Sequence, residues 1–184
     1  MTHGIVRHNT PRNIPGAHGI LTAMVMTWTA RALEPEELAA VSANSKVVVD
    51  LLEDEPPNPK LAVDLDTAWH GIHWLLTGTA YDAESPAGQA IFGGDPIGHN
   101  LGNGPAHLLD GRTVKRIADA LRNLSADDLA ARYDPDSMLA ADIYPGFWLD
   151  PAVFEELLRP RYRELRKFYR RAAKNGRAIL TAIL

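Results

Sequence analysis

Apolar residues follow two periods along this chain, one typical of strands and one typical of amphipathic helices. The run 20–30 can place alternate side chains on two faces, with Val25 on one and Trp28 on the other, which predicts a strand. Arginines before the run and the triplet 30–32 also outline a secretory signal, although three threonines inside the run favour the strand. The run 178–184 predicts a second, buried strand at the carboxyl end.

The predicted helices share a proline or a polar capping residue at the amino end and helical spacing of apolar residues beyond it. They begin at Pro35, Ser45, Asp66, Ser85, Asp110, Ser125, Asp134 and Asp150. The last is the longest, reaching about Asn175, and Pro160 inside it predicts a kink or a junction of two helices. The segment 93–105 holds five glycines and two prolines, which predicts an irregular loop before a possible short strand at 106–109.

The order of these elements predicts the fold class. A strand, many helices and a final strand indicate an α+β fold that is mostly helical, with a small sheet formed largely by the N-terminal and C-terminal strands. Residues 1–19 have no hydrophobic period and predict an irregular amino-terminal extension. We expect residues 20–184 to form a single domain, because their number is ordinary for one hydrophobic core.

The composition excludes several classes of chemistry. The chain has 184 residues and no cysteine, so disulfides, thiolate nucleophiles and cysteine-ligated zinc are ruled out. The net charge of −4 argues against a protein that coats nucleic acid, and no run reaches the ~20 apolar residues that a membrane span needs. We therefore expect a cytoplasmic protein for which nucleic acid and membrane are improbable partners.

The central helix, predicted to begin at Asp66 and to end before Gly78, carries the candidate site. At 100° per residue, Trp69 and Ile72 fall on a broad apolar face. One narrow polar stripe remains, and its members are Asp66, His70, His73 and Thr77. A helix that is apolar over most of its circumference is largely buried, so this stripe must be hydrogen-bonded or face a pocket.

Aromatic residues beside the stripe and in the later turn 144–148 extend it into a candidate ligand pocket. The pocket residues are Asp66, Trp69, His70, His73, Trp74, Thr77, Tyr144 and Trp148. Three interpretations stay open: a structural role for the histidines, a pocket for a small molecule or peptide, and catalysis by a histidine pair. His-x-x-His is a weak metal signal and His-Glu-x-x-His is absent, so we expect no metal and no cofactor.

Positive charge is concentrated near the carboxyl end. Residues 159–177 hold nine basic residues and one acid, so this segment carries +8 against −12 for the rest of the chain. From Arg159 to Lys174 the basic positions repeat at helical spacing opposite an apolar face. The pattern is typical of a solvated helix face and also indicates a docking surface for an acidic protein partner, while the lack of interleaved aromatic residues disfavours single-stranded nucleic acid.

Several blocks of the sequence resemble a known family. They are the helix Leu65-Asp-x-Ala-Trp69-His70-Gly71-Ile72-His73 through Gly78, Leu101-Gly-x-Gly-Pro105, Ala140-Ala-Asp-Ile-Tyr144-Pro145 and the Phe168-Tyr to Gly176 helix end. Together they resemble the YfbM-like family, a bacterial domain family of unknown function, over about residues 20–184. The resemblance implies an α+β fold with helices around a small sheet, and it implies no reaction, cofactor or partner.

The sequence leaves the function unknown and favours a non-catalytic binding or protein-interaction module. The missing nucleophile, the incomplete metal set and the separation of charge all favour this hypothesis. A small hydrolase or lyase using His70 and His73 is one alternative, because imidazoles titrate near neutrality. A neutralising, immunity-like accessory protein is another, and the oligomeric state is left open.

Overall fold

The computed structural model describes residues 25–184, which form helices packed around one antiparallel sheet. The strands are β1 (Trp28–Ala32), β2 (Ala62–Asp66), β3 (Asp95–Asn100), β4 (Pro105–Leu109) and β5 (Ile179–Ile183). The helices are α1 (Pro35–Ala43), α2 (Val47–Glu53), α3 (Trp69–Thr77), α4 (Gln89–Phe92), α5 (Gly111–Arg122), α6 (Ala126–Ala130), α7 (Pro135–Ala140) and α8 (Arg159–Lys174). The mostly helical α+β fold is therefore confirmed.

The two strands from opposite ends of the sequence lie side by side. The sheet order is β2-β1-β5-β4-β3, and Ala30 of β1 faces Thr181 of the central strand β5 in an antiparallel register. Strand β5 is buried on both faces, which explains why its sequence is almost continuously apolar. Ile179 contributes to the main core, whereas the next residue, Leu180, packs in a smaller cluster with Val41 and Val48 of α1 and α2.

Helix α8 is the main support of the larger face of the sheet. Its apolar side buries Tyr162, Leu165, Phe168 and Tyr169, and it packs chiefly against α5 and β2. The same amphipathic pattern leaves its basic side toward solvent. The sequence patterning therefore fixes both the core contact and the position of the basic face in the fold.

The start of the central helix is a correction. Asp66 does not cap a helix: it ends the unforeseen strand β2 with a φ of 53°, and its side chain accepts a hydrogen bond from the Thr67 N–H at 2.8 Å. Helix α3 begins three residues later at Trp69, while Gly78 ends it in the left-handed conformation as expected. Alternating burial along β2, with Val63 and Leu65 inward, is the period that the helical interpretation overlooked.

The glycine-rich segment is a second correction. Residues 95–100 and 105–109 form the hairpin β3–β4, whereas an irregular loop was expected over 93–105. Strand β3 is exposed along most of its length, so it carries no apolar alternation from which a strand could be predicted. Strand β4, expected over 106–109, is confirmed.

Other boundaries were predicted well, with three shifts. The helix expected from Ser85 begins only at Gln89, as α4. The helices after Asp110, Ser125 and Asp134 begin where their capping residues predict. The second helix is present, but Lys46 rather than Ser45 occupies its cap position. The first strand begins at Trp28, so it overlaps only the end of the predicted run, and the part of that run before residue 25 lies outside the described residues, as does the extension 1–19.

The long terminal helix has the discontinuity expected at Pro160. A π-helical turn at Phe154–Leu158 precedes α8, and Pro160 lies in the first turn of α8. Proline suits this position because it needs no backbone N–H bond there. The junction of two helical segments is thus confirmed.

Candidate functional site

Helix α3 sits close against the core because it carries a glycine where another element approaches. A β-carbon on Gly71 would lie 2.5 Å from Cη2 of Trp148, whose indole is completely buried. Trp148 donates from Nε1 to the Ile143 carbonyl at 2.7 Å. Trp148 is therefore a core residue that positions α3, and it does not line a pocket with the histidines.

The imidazole of His70 joins two loops to the helix. Its Nε2 lies 3.0 Å from the Ala80 carbonyl oxygen, and its Nδ1 lies 3.0 Å from the backbone nitrogen of Tyr144. A backbone N–H can only donate, so Nδ1 accepts and the single proton of the ring resides on Nε2, where it is donated to Ala80. Both ring nitrogens of His70 are thereby engaged, and the ring is only 2% exposed.

His73, one turn along, holds the same return loop from within the core. Its Nε2 accepts the backbone N–H of Asp82 at 3.0 Å, and its Nδ1, which then carries the proton, is buried without a partner among the described residues. The ring is 0% exposed and packs edge-on against Phe92, with ring centroids 4.6 Å apart. His70 and His73 together fasten residues 80–82 over the helix that precedes them.

Both histidines are held in the neutral form. Burial lowers the pKa of His70, although the Ala80 carbonyl acts in the opposite direction. Burial, with repulsion from His70 as a smaller cause, lowers the pKa of His73 to about 4, while the Asp82 carboxylate opposes the change. A pair of neutral imidazoles whose lone pairs are bound to backbone N–H groups has no base to offer a substrate at pH 7.

Next to His70, stacked aromatic rings line an open groove of about 620 Å³. Trp69 lies between His70, at a centroid distance of 4.8 Å, and Tyr144, at 5.9 Å. Tyr81 tilts against His70 on the outer side, with 5.3 Å between centroids. We call this cavity the aromatic groove; its walls are Met26, Trp69, His70, Tyr81, Phe92, Asn103, Leu139, Asp142, Ile143, Tyr144, Pro145, Gly146 and Ile183.

The aromatic groove includes three of the predicted pocket residues. Trp69, His70 and Tyr144 line it, and Tyr144 accepts the Met26 N–H while Trp69 Nε1 donates to the Met26 carbonyl. The others lie elsewhere: His73 and Trp148 are in the core, Trp74 packs on its border, Asp66 ends β2, and the Thr77 hydroxyl donates back to the His73 carbonyl. The predicted pocket residues are therefore brought together only in part, since the others do not line the aromatic groove.

Sequence reasoning missed Tyr81, Phe92 and Asp142 on the walls of the aromatic groove. Tyr81 is 74% exposed, and the detectable signal was a large aromatic residue in a polar loop. Asp142 lies two residues after the end of α7, where its φ of 51° places an aspartate in a conformation that favours glycine. Phe92 ends a helix of only four residues, for which no periodic signal exists.

A second groove, of about 490 Å³, runs between α5 and α8. We call it the cationic groove; its charged walls are Lys115, Asp119, Arg122, Arg163, Arg166, Lys167, Arg170 and Lys174. The single acid, Asp119, is already paired with Lys115 at 3.4 Å and with Arg122 at 3.2 Å. The predicted basic helix face is exposed to solvent and forms one wall of a cleft.

The cations that α8 contributes to the cationic groove fall into two groups. Arg166 is fixed to the fold, because its guanidinium donates to the Leu121 and Arg122 carbonyls, each at 3.0 Å, and lies 5.8 Å from the Tyr162 ring centroid. Four others on α8 form no ion pair within residues 25–184: Arg163, Lys167, Arg170 and Lys174. Residues 1–24, which the structure does not describe, contain no Asp or Glu to pair with them.

Two further observations concern metal sites and membrane spans in the described part of the chain. Within residues 25–184, no group of three or more His, Asp or Glu side chains is arranged to hold a metal ion. No helix in that same range is long and apolar enough to cross a membrane.

This helical α+β domain with a five-stranded antiparallel sheet has a recognisable counterpart among protein families. Residues 24–182 match the model of a family described as a domain of unknown function, DUF1877, and the chain belongs to this family. The resemblance to the YfbM-like family inferred from the central helix is thereby confirmed.

The fold has been seen in a solved structure. The chain is similar to the protein of unknown function YfbM from Escherichia coli, with 22% identity, a TM-score of 0.64, and coverage of 86% of this chain and 99% of that one. No curated protein matches the chain. At this identity the likeness shows the fold alone, so function is argued from the two grooves.

Proposed function

We propose that the protein is a non-catalytic binding module whose cationic groove docks an acidic segment of a protein partner. The observation that carries the proposal is the row of four cations on α8 that have no acidic partner in the described structure. Clustered like charges at helical spacing destabilise a helix, so an isolated fold gains nothing from them. An anionic partner would relieve the repulsion and be steered by the positive potential of the groove itself.

The spacing of the row favours a helical partner. Arg163, Lys167, Arg170 and Lys174 are separated by four, three and four residues, which places them on one side of α8. They extend over about 16 Å at 1.5 Å per residue. Carboxylates at the same spacing on a partner helix would lie opposite them along the whole length of the groove.

The groove disfavours nucleic acid as the partner. The tyrosines and the phenylalanine of α8 are buried in the core, so no ring on this helix is exposed for base stacking. The remainder of the chain is strongly acidic, which would repel a long polyanion extending past the groove. A short acidic protein segment avoids both difficulties.

A capture experiment with matched variants tests the proposal. In one variant the four cations are reversed: Arg163→Glu, Lys167→Glu, Arg170→Glu and Lys174→Glu. The control reverses four exposed cations outside the groove, Lys46, Lys60, Arg112 and Arg116, and so has the same net charge. The wild-type chain and the control should each retain a stoichiometric acidic protein from a lysate of the native host, while the groove variant loses it.

Salt provides the second arm of the same experiment. Docking through about four ion pairs should weaken several-fold between low and moderate salt, because screening reduces exposed charge pairs. Equal capture by all three proteins, or capture of nucleic acid by the wild-type chain alone, would contradict the proposal. Absence of any stoichiometric partner would contradict it as well.

A hydrolase or lyase based on His70 and His73 is less well supported. Three of their four ring nitrogens are occupied by backbone groups, and neither ring has an accessible base. An immunity-like role stays a prediction; it requires that the captured acidic protein be one whose activity this chain inhibits.

A further inference from the structure

The aromatic groove carries very little charge for its size. Among the described residues that line it, Asp142 is the only side chain that is charged at neutral pH. The imidazole of His70, which also lines the groove, is kept neutral because its Nδ1 accepts a backbone N–H and its Nε2 donates to a backbone carbonyl. The interior of the groove therefore presents one negative charge among apolar and aromatic side chains.

Asp142 is held in an unfavourable backbone conformation. Its φ of 51° follows the end of α7, a position where glycine is most easily accommodated and asparagine is tolerated. Within residues 25–184 the carboxylate forms no ion pair, and its side chain is exposed. The carboxylate is therefore free to contact a ligand in the aromatic groove that it lines.

Two further features of the walls suit a cation with an apolar body. Tyr81, at the rim, is 74% exposed and can present a ring face to a cation. Ile143, Leu139 and Ile183 give the groove apolar walls for the rest of a ligand, and the volume of about 620 Å³ is ordinary for a small-molecule site. An anionic ligand would meet a carboxylate and no cationic side chain from the described walls.

We propose that the aromatic groove binds a small organic cation, an amine joined to a flat apolar group. Its ammonium lies at the Asp142 carboxylate and its apolar group lies along the rings of Tyr81, Phe92 and Tyr144. This site is separate from the cationic groove and takes the opposite charge. The two proposals are therefore independent, and a test of one does not decide the other.

Three probes of one shape and different charge test the site in the full chain. Phenethylamine is cationic, 2-phenylethanol is neutral and phenylacetate is anionic at neutral pH. In a titration followed by two-dimensional NMR, phenethylamine should bind most tightly and phenylacetate least, with the shifted amides confined to residues around the groove. Equal affinity for all three, preference for the anion, or no binding at millimolar concentration would overturn the proposal.

Two variants assign the interaction to residues. Asp142→Asn removes the charge but keeps a residue that tolerates the left-handed conformation, so it should fold normally and weaken phenethylamine binding about fivefold, the order expected for a solvent-exposed ion pair. It should leave the affinity for 2-phenylethanol unchanged. Tyr81→Ala, at an exposed position, should weaken phenethylamine more than 2-phenylethanol. A loss of affinity for both ligands equally in Asp142→Asn would contradict the charge contact.

Discussion

At the scale of single residues, the buried histidines of α3 hold neighbouring loops through hydrogen bonds, and they should make the free energy of unfolding depend on pH. His73 is neutral in the native state because its pKa is lowered to about 4 from the ordinary 6.5. Between these values the unfolded chain binds a proton that the folded chain does not. The free energy of unfolding should therefore be fully retained above pH 6.5 and should fall as the pH drops toward 4.

The pH dependence can be assigned by substitution. His73→Gln keeps an acceptor for the Asp82 N–H but cannot titrate. Between pH 7 and pH 5 its free energy of unfolding should therefore fall less than that of the wild-type chain, by up to about 2 kcal/mol. Urea denaturation at the two pH values measures the difference. His99→Gln, at an exposed position, is the control and should keep the wild-type dependence. An unchanged slope in His73→Gln would show that other groups carry the effect.

The sequence predicted residue types at the site better than residue contacts. The helical spacing predicted that His70 and His73 share a side of α3 and are buried, and both are. It could not predict that Ala80, Asp82 and Tyr144 supply their partners, since those are backbone groups of loops, and loop geometry has no periodic signal. Trp148 was misplaced because an aromatic turn is as compatible with a pocket as with a core.

At the scale of elements, close packing of α3 depends on one missing side chain. Alanine favours a helix over glycine by roughly 1 kcal/mol, yet a β-carbon on Gly71 would overlap the Trp148 ring. Gly71→Ala should therefore destabilise the fold by about 1–3 kcal/mol, the usual effect of overpacking. Thermal or urea unfolding measures this loss.

A double-mutant cycle identifies the cause of that loss. In a Trp148→Phe background the clashing ring atoms are absent, so Gly71→Ala should become clearly less destabilising. Gly78→Ala is a control, because nothing lies within 4 Å of its β-carbon and only its φ of 73° opposes the change. Equal destabilisation by Gly71→Ala in both backgrounds would rule out the contact with Trp148.

Helix α8 should be more stable without the clustered positive charges on its exposed side. Arg170 has Arg166, Lys167 and Lys174 three or four residues away, so each of these pairs is repulsive. Arg170→Gln removes three repulsive pairs of about 0.2–0.5 kcal/mol each and should raise the free energy of unfolding by about 0.6–1.5 kcal/mol, and Arg170→Glu, which turns the repulsions into attractions, by about twice as much. Urea unfolding at low salt checks this. A loss of stability in both variants would mean that Arg170 has a structural role.

A helix was predictable where its apolar residues follow a clear helical period and a capping residue precedes them, as Asp110 precedes α5. Only the last residues of strand β2 were assigned to the following helix, because Leu65 and Trp69 also fit a helical period. Strand β3 lies at the exposed edge of the sheet, where polar residues and glycine suffice, so only its pairing with β4 defines it.

At the scale of the whole molecule, charge is divided between the basic terminal segment and an acidic remainder. The segment 159–177 carries +8 within a chain of net charge −4. The sequence predicted this division, but only the packing of α8 against α5 turns it into a cleft with Lys115 and Arg122 on the opposite wall. The arrangement joins a supporting helix and the proposed docking surface in one element.

The cationic groove is tested most directly by the affinity of the purified chain for two acidic peptides of identical composition. One presents glutamates at helical spacing of four, three and four residues, and the other has the same residues scrambled. Fluorescence anisotropy at about 150 mM salt, where exposed charges are screened beyond about 8 Å, should show clear preference for the patterned peptide. The preference should vanish when Arg163, Lys167, Arg170 and Lys174 are reversed. Equal binding of the two peptides, or binding that survives the reversal, would contradict recognition by this groove.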